Sequence, residues 1–242
     1  MGGATGVGVT VAVVDSGVDS AHPRVGGVAD GAIVTYDPSL PSPVQIEEKA
    51  HADLFGHGTA CAGIIRELAP DCQLLSVRVL GKRLTGKTPC IAAGVRWALN
   101  HGARVINLSL STPRLDQAPV WHQLADECYF RQAVLVCAAN NLPGPTYPAQ
   151  FASVISVACH PGKDPKDLAY NPDPPVEFGA RGIDVEVAWA RGAVITATGN
   201  SFAAAHVSGL VALILQLHPG CSPFEIKTIL RGLATQDHPP PA

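Results

Sequence analysis

The chain has 242 residues, of which 47% are hydrophobic and only 15% charged, and this balance excludes intrinsic disorder along its length. The formal net charge of −3 gives no overall attraction to nucleic acid, and no apolar run reaches the roughly 18 residues of a membrane span. Seven cysteines without paired spacing do not suggest a disulfide framework. We therefore expect a globular protein with reduced thiols and with neither a nucleic-acid nor a membrane partner.

Apolar runs rich in β-branched residues are typical of strands buried on both faces of a parallel sheet. They occupy residues 9–15, 73–80, 104–110, 133–140, 154–159 and 193–199. Helical patterns lie between or after these runs, at residues 88–101, 116–132, 202–217 and 222–233. Strands that alternate with helices predict an α/β domain of three layers, with a mostly parallel central sheet and helices on both faces.

The same pattern predicts one domain with two short ends. Every predicted strand and helix falls within residues 9–235, so we assign these residues to a single domain. Residues 1–8 and 236–242 lie outside the pattern and are predicted to be flexible segments. Two stretches rich in proline, residues 37–50 and 161–177, are expected to be surface loops.

Three polar residues interrupt the apolar pattern. Asp15 ends the first strand, His57 lies between two glycines at the start of an apolar helical run, and Ser201 begins the long apolar helix. Each has an ordinary explanation, because Asp stabilises turns and Ser caps helices. Together they supply a nucleophile, a base with a reference pKa of ~6.5 and a carboxylate that can orient the base. The combination favours a nucleophilic serine over three unrelated caps.

The segments around these residues resemble the catalytic blocks of the subtilisin-like serine proteases, the subtilase family. They read VAVVDSGVD, GHGTACAG and GNSFAAAHVSG, and the likeness extends from about Val9 to Leu233. The resemblance implies the three-layer subtilisin-like fold and a serine endopeptidase that cleaves peptide bonds through an acyl-enzyme. It assigns the nucleophile to Ser201, the general base to His57 and the orienting acid to Asp15.

The resemblance also implies an oxyanion hole and a substrate-binding strand. The family's Ala-Ala-Gly-Asn reads Ala-Ala-Asn-Asn here, so Asn141 corresponds to the oxyanion amide and Asn140 to the glycine. Ser109, Leu110 and Ser111 correspond to the strand that pairs with an extended peptide. We expect a peptide or protein substrate bound in extended form, with an uncharged residue before the scissile bond.

Departures from the family carry further expectations. Asn200 replaces the threonine before the nucleophile, and Ala205 replaces a proline, a change that we expect to favour acyl transfer to amines over hydrolysis. The segment HGTACAGIIRELAP continues directly into the next block, where many relatives insert a calcium-binding loop, so we expect no metal and no other cofactor. Without a recognisable signal peptide or pro-segment, the sequence predicts a cytoplasmic protein, and we expect a monomer.

Two other functions remain open on the sequence alone. The same acyl-enzyme could pass its acyl group to a peptide amine, which would make the protein a peptide ligase or macrocyclase. Macrocyclising relatives usually carry lid insertions, and the short chain disfavours that interpretation. The second alternative is a pseudoprotease that binds peptides without turnover. The intact acid, histidine and serine argue against it, whereas Asn140 and Asn200 leave it open.

Overall fold

The computed structural model describes residues 2–141 and 144–234. Within these residues the main sheet contains nine strands, and all but the two edge strands are parallel to their neighbours. They are Thr10–Asp15 (β1), Asp30–Tyr36 (β2), Val44–Glu48 (β3), Gln73–Arg78 (β4), Val105–Leu108 (β5), Val134–Ala138 (β6), Ile155–His160 (β7), Leu168–Tyr170 (β8) and Phe178–Arg181 (β9). Their order across the sheet is β3-β2-β4-β1-β5-β6-β7-β9-β8.

Five α-helices in the described part of the chain cover the two faces of this sheet. They are His57–Leu68 (α1), Thr88–Asn100 (α2), Ala118–Phe130 (α3), Asn200–Leu217 (α4) and Pro223–Leu233 (α5). Helices α1, α4 and α5 share a core with Val11 and Val13 of β1, whereas α2 and α3 share the opposite core with Ala12 and Val14. The three predicted layers, helix, sheet and helix, are confirmed.

The central strand β1 shows why the strands carry continuous apolar runs. It pairs in parallel with β4 on one side and with β5 on the other, and all of its residues after Thr10 are buried. A strand covered on both faces cannot alternate apolar and polar side chains. The chain passes from β4 through α2 to β5, across β1, and open α/β sheets bind ligands in the crevice where the strand order reverses. The carboxyl ends of β1 and β5 flank that crevice.

Helix α4 is long and apolar enough, by length and composition, to cross a membrane, contrary to the expectation that no run has this length. Its apolar character has a different cause, because 78% of the helix is buried inside the domain. Every residue from Phe202 to Leu215 is buried against the sheet and the neighbouring helices. Such a helix has no polar face, since little of it reaches solvent.

Three expectations about strands and loops were wrong. The apolar run at residues 193–199 forms a strand, Ala193–Ala197 (β11), but this strand pairs with Val185–Trp189 (β10) in a separate hairpin and is largely exposed. The two predicted surface loops contain the edge strands β3 and β8. Most of β3 is exposed, and an edge strand of this kind needs no apolar pattern to pair.

The predicted domain boundaries need one correction at the N-terminal end. The N–H groups of Thr5 and Gly6 both donate to Oε1 of Gln216 at 2.7 Å, and the Thr5 carbonyl accepts from Asp71 N–H at 2.8 Å. These bonds attach residues 5–6 to the domain, so the flexible segment predicted for residues 1–8 is too long. The predicted tail at 236–242 lies outside the described residues.

Candidate active site

Asp15 and His57 form a hydrogen-bonded pair at the carboxyl end of β1. Asp15 is fully buried as the last residue of β1, and His57 is the first residue of α1. The His57 Nδ1–H donates to the two carboxylate oxygens at 2.9 and 2.8 Å, and Ser16 N–H donates to Oδ1 at 2.7 Å. Since Nδ1 carries the proton in this bond, Nε2 of the neutral ring is left as an acceptor.

Two opposing effects act on the pKa of His57. Burial lowers this pKa, because it disfavours the charged imidazolium. The charge and hydrogen bond of Asp15, together with the charge of Asp53, raise it, and the net result is a pKa above the ordinary value of 6.5. The ring accepts a proton only when it is neutral, so its function as a base requires a pH above this raised value.

Asp53 fixes the segment that carries His57, a role for which the sequence did not single it out. Its two oxygens accept five hydrogen bonds of 2.6 to 2.9 Å. The donors are Ser16 Oγ, the N–H groups of Phe55, Gly56 and Thr59, and Thr59 Oγ1. Two of these N–H groups belong to the N-terminus of α1, where a carboxylate is favourable. The signal in the sequence was an acid shortly before the glycines around His57.

Ser201 is the second residue of α4 and lies against Ser109, just beyond the end of β5. The Ser109 Oγ–H donates to the Ser201 carbonyl at 3.1 Å, and the Ser201 Oγ–H donates to the Ser109 carbonyl at 3.4 Å. The ring of His57 packs beside Phe202, the residue after Ser201, with 6.0 Å between the ring centroids, so His57 lies next to the N-terminus of α4. Contacts between a catalytic hydroxyl and its base commonly tighten only with substrate.

A chain of buried polar side chains lies beneath Ser201 and was not anticipated from the sequence. Asn107 of β5 is fully buried, and its Nδ2 donates to Ser109 Oγ at 3.0 Å. Its Oδ1 accepts from Ser208 Oγ of α4 at 3.0 Å. Ser109 Oγ in turn donates to the Ser201 carbonyl. These hydrogen bonds therefore join β5 to α4 directly below the site.

Asn200 joins three elements at the N-terminus of α4. Its Oδ1 accepts from Cys159 N–H of β7 at 2.8 Å. Its Nδ2 donates to the carbonyls of Ala139 and Asn140, which follow β6, at 3.2 and 3.0 Å. The residue that replaces the family's threonine therefore makes three side-chain hydrogen bonds. It holds the segment after β6 at a fixed place beside α4.

Asn141 lies at the N-terminus of α4, beside the segment that carries Ser201. Its Oδ1 accepts from the backbone N–H of Asn200 at 3.1 Å, one residue before Ser201. Because Oδ1 is used in this bond, the Nδ2 donor group remains for another acceptor near the start of α4. The sequence-predicted residues Asp15, His57, Ser201 and Asn141 are thus brought together by β1, α1, α4 and the segment after β6.

Residues 109–111 continue from β5 past the edge of the sheet. Leu110 and Ser111 are half-buried, and their backbone groups make no backbone hydrogen bonds within residues 2–141 and 144–234. Thr112 differs, since it exchanges hydrogen bonds with Tyr147 at 3.0 and 2.9 Å. An extended segment with unpaired backbone groups can bind a peptide by strand addition. The side chain of Ser109, by contrast, is turned toward Ser201.

Cys61 approaches the pair closely enough to form a group of three metal-ligating side chains in the described part of the chain. Ligand atoms of Asp15, His57 and Cys61 lie within 4.8 Å of one another. Burial raises the pKa of the Cys61 thiol well above its ordinary value, and a protonated thiol is a poor ligand. The carboxylate and the imidazole already bind each other. This group fits proton transfer better than metal binding.

A buried carboxylate bonded to an imidazole, next to a serine at a helix N-terminus, is typical of serine hydrolases that act through an acyl-enzyme. The chain matches the subtilase family over residues 6–240. It is 30% identical to M-protease of Shouchella clausii, covering 96% of this chain and 60% of that protein. It is also 30% identical to Subtilisin Savinase of Lederbergia lenta, covering 96% and 86%. The chain belongs to the subtilase family, as the three sequence blocks indicate.

Solved structures agree with this assignment. A crystal structure described as a cold adapted subtilisin-like serine proteinase matches with a TM-score of 0.78 at 26% identity, covering 95% of this chain and 83% of that chain. The subtilisin-like fold predicted from the sequence is therefore confirmed. The chain spans 60% of the length of M-protease, so part of that relative has no counterpart here.

Proposed function

We propose that the protein is a serine endopeptidase that hydrolyses peptide bonds through an acyl-enzyme. The observation that supports this function best is the hydrogen-bonded pair of Asp15 and His57, at 2.8 Å, in the crevice that contains Ser201. A buried carboxylate holds the imidazole in one tautomer and stabilises the imidazolium that forms during the reaction. A base and a group that orients it are sufficient to activate a serine hydroxyl, and His57 and Asp15 supply both.

In the first half of the reaction, Ser201 Oγ attacks the carbonyl carbon of the scissile peptide bond. The hydroxyl proton moves to His57 Nε2, and the imidazolium is stabilised by Asp15. The same proton then passes to the leaving amine, which departs as the C–N bond breaks. In the second half, His57 takes a proton from water while the water oxygen attacks the acyl-enzyme. The acid product leaves as the proton returns to Ser201 Oγ.

The negative charge on the attacked oxygen is assigned to two donors. The first is the Nδ2 group of Asn141, which is left over after Oδ1 accepts from Asn200. The second is the backbone N–H of Ser201, at the positive end of α4. Loss of the amide donor costs roughly 10²–10³ in kcat, a figure measured for a subtilisin. We expect the Asn141→Ala variant to fall in this range with a nearly unchanged KM.

The substrate is a peptide or an unfolded protein segment in extended form. Its residues before the scissile bond pair with Leu110 and Ser111, whose backbone groups are unpaired within the described residues. Such pairing holds the main chain independently of the side chains and leaves specificity to neighbouring cavities. Because Ser109 contacts the nucleophile, residues farther from the scissile bond lie toward Thr112.

A fluorophosphonate probe read by intact mass tests this function. One adduct on the protein, absent in the Ser201→Ala and His57→Ala variants, is the expected result, because only an activated serine reacts. Cleavage of a peptide library then separates the alternatives. Free acids as products support an endopeptidase, whereas new amide bonds formed with an added amine indicate a ligase. A folded protein that takes no label and cleaves no peptide is a pseudoprotease, and the proposal is then wrong.

A further inference from the structure

A cavity of about 580 Å³ opens beside the segment proposed to pair with substrate. Leu110 and Ser111 belong to its wall, so a peptide paired with this segment passes the mouth of the cavity. Its inner surface is apolar and includes Leu84, Ile91 and Trp121. The cavity is large enough for one long side chain of the peptide.

The charged side chains that line this cavity are basic. Lys87 and Arg114 belong to the lining, and no acidic residue of the described chain does. Lys87 Nζ lies 3.8 Å from the ring centroid of Tyr36, which keeps the ammonium group at the cavity. Arg114 binds Asp116 at 2.7 Å, but both side chains are more than 60% exposed, and water screens such a pair.

The segment that contributes Lys87 and Arg114 to the cavity is rich in basic residues. Residues 72–115 contain seven of the 17 lysines and arginines of the chain and none of its 20 acidic residues. The net charge of −3 hides this asymmetry, because it averages over the whole chain. Neighbouring charges of one sign raise the local concentration of ligands of the opposite sign. Lys87 and Arg114 are the two charged side chains of this segment that line the cavity, and they favour a carboxylate there.

Trp121 gives a second and independent indication of a polar ligand. Its side chain lines the cavity and is 1% exposed, and its Nε1–H has no hydrogen-bond acceptor within the described residues. A buried donor without a partner is costly, and such groups usually find an acceptor in a ligand or in water. An oxygen of a bound side chain would supply that acceptor.

We propose that this cavity binds a glutamate side chain of the substrate, on the N-terminal side of the scissile bond. The methylene groups of glutamate would lie on the apolar inner surface, and its carboxylate would meet Lys87, Arg114 and the Trp121 N–H. The segment from Ser109 to Thr112 advances by three residues, and an extended peptide paired with it advances at the same ~3.3 Å per residue. We therefore place the glutamate about three positions before the residue whose carbonyl is attacked. The inference rests on the proposed function for the direction of the peptide, but not for the binding itself.

The test compares blocked peptides that differ only by glutamate or glutamine, placed in turn at the second to fifth position before the scissile bond. Turnover is measured as kcat/KM for the native protein, and peptide binding is measured by fluorescence polarisation with the Ser201→Ala variant. We expect glutamate to be preferred by roughly three- to tenfold at one position, in both measurements, with the preference falling at high salt. Equal values for glutamate and glutamine at every position would overturn the inference.

Four variants connect the preference to the cavity. Lys87→Met removes the ammonium group but keeps the stem, and it should reduce the glutamate preference to below about twofold. Lys87→Glu should instead favour lysine at the same peptide position, which a misfolded protein cannot do. Trp121→Phe removes the N–H and should weaken glutamate binding more than glutamine binding. Lys82→Met, in the same loop but not in the cavity lining, is the matched control and should leave the preference unchanged.

The outcomes separate this inference from the proposed function. Glutamate-selective binding without any turnover would support the cavity assignment and contradict the endopeptidase. Turnover without glutamate preference, or a preference for an apolar residue at that position, would retain the endopeptidase and contradict the cavity assignment. If Lys82→Met changes the preference as much as Lys87→Met does, the general positive field explains the result and the cavity assignment is wrong.

Discussion

At the scale of single residues, two carboxylates act on His57 in different ways. Asp15 contacts the ring directly and contributes to its raised pKa through charge and hydrogen bonding. Asp53 instead holds the loop and the first turn of α1 through five hydrogen bonds. Orientation of the ring therefore depends on both the strand before it and the loop beside it. The two contributions can be separated by substitution.

Asp15→Asn should lower kcat by roughly 10⁴-fold, because the amide favours the wrong tautomer of His57 and does not stabilise the imidazolium. The native protein should lose kcat/KM as pH falls through the raised pKa of His57, since the protonated ring cannot act as a base. In the variant the residual activity should show this loss at lower pH, because the raising effect of Asp15 is gone. A pH profile of both proteins checks the prediction, and an unshifted acidic limb would contradict it.

The pKa of His206, which lies on α4 five residues after Ser201, predicts how stability depends on pH. Burial, with a smaller effect of the positive charge of Arg181, lowers its pKa from 6.5 to about 4, although the bond from Nδ1–H to the Phe202 carbonyl opposes this shift. The unfolded chain therefore binds a proton between about pH 6.5 and 4 that the folded protein does not bind. Stability from this group is complete above pH 6.5 and is lost as the pH falls through that window.

The size of this effect is about 3 kcal/mol from the shift in pKa. We expect the urea midpoint of the native protein to fall steeply between pH 7 and pH 4.5. His206→Gln keeps an N–H donor for the Phe202 carbonyl but has no titrating group, so its midpoint should fall less over the same range. Equal slopes for the two proteins would show that other groups cause the acid sensitivity.

The site residues that could be predicted from the sequence interrupt apolar runs within recognisable motifs, whereas those that could not be predicted depend on contacts between distant segments. Asp15, His57 and Ser201 each interrupt an apolar run, so a pattern of three could be recognised. Asn107 also interrupts an apolar strand, but its partners, Ser109 and Ser208, are ordinary serines whose contacts exist only after β5 and α4 have packed. A role that depends only on tertiary contacts produces no characteristic residue spacing, so it cannot be predicted from the sequence.

At the scale of secondary-structure elements, the sequence reveals the strands that carry long apolar runs, and it does not reveal the interior strands β2 and β9, whose apolar runs are short. Strands β1 and β6 lie inside the sheet and have apolar runs that predict them. The edge strand β3 is mostly exposed and does not need the composition of a core strand. The other edge strand, β8, is largely buried but has only three residues, which are too few to show a pattern. The N-terminus of α5 shows the opposite case, because the capping box of Ser222 and Glu225 depends only on local contacts, and its residue spacing is visible in the sequence.

The connection between α1 and β4 depends on a single arginine. Arg66 donates to the carbonyls of Val25, Pro70 and Cys72 at 2.6 to 2.8 Å and to that of Gly27 at 3.3 Å. These carbonyls come from two separate segments of chain, so the guanidinium group joins the start of β4 to the loop before β2. A cation already fills this cluster of oxygens.

Arg66→Met should destabilise the protein by about 2–4 kcal/mol, because several partly buried carbonyls lose a charged donor while the apolar stem is kept. Chemical unfolding of the native protein and the variant measures the difference. Arg131→Met is a suitable control, since its bonds to Asn100 and Glu127 are exposed or long and should contribute less than about 1 kcal/mol. Similar losses in the two variants would contradict the special role of Arg66.

At the scale of the whole molecule, the short turn after α1 bears on how the domain is stabilised. Only residues 69–72 separate α1 from β4, and the Arg66 guanidinium group occupies the carbonyls of Pro70 and Cys72. A second cation at these oxygens would be repelled by the first. We propose that the folded domain does not need calcium at this place, although many relatives insert a calcium-binding loop there.

A chelator should therefore leave the thermal unfolding midpoint of this protein unchanged to within about 1 °C. A metal bound at 1,000 times its dissociation constant adds about 4 kcal/mol of stability, and each kcal/mol moves the midpoint of a domain of this size by roughly 2–4 °C. Loss of such a metal would thus lower the midpoint by roughly 10 °C, far outside the expected range. Scans in chelator and in added calcium make the comparison, with Arg66→Met measured in parallel. A calcium-dependent rise in that variant alone would show that the guanidinium group occupies a place that a metal can fill, whereas a large drop of the native protein in chelator would contradict the proposal.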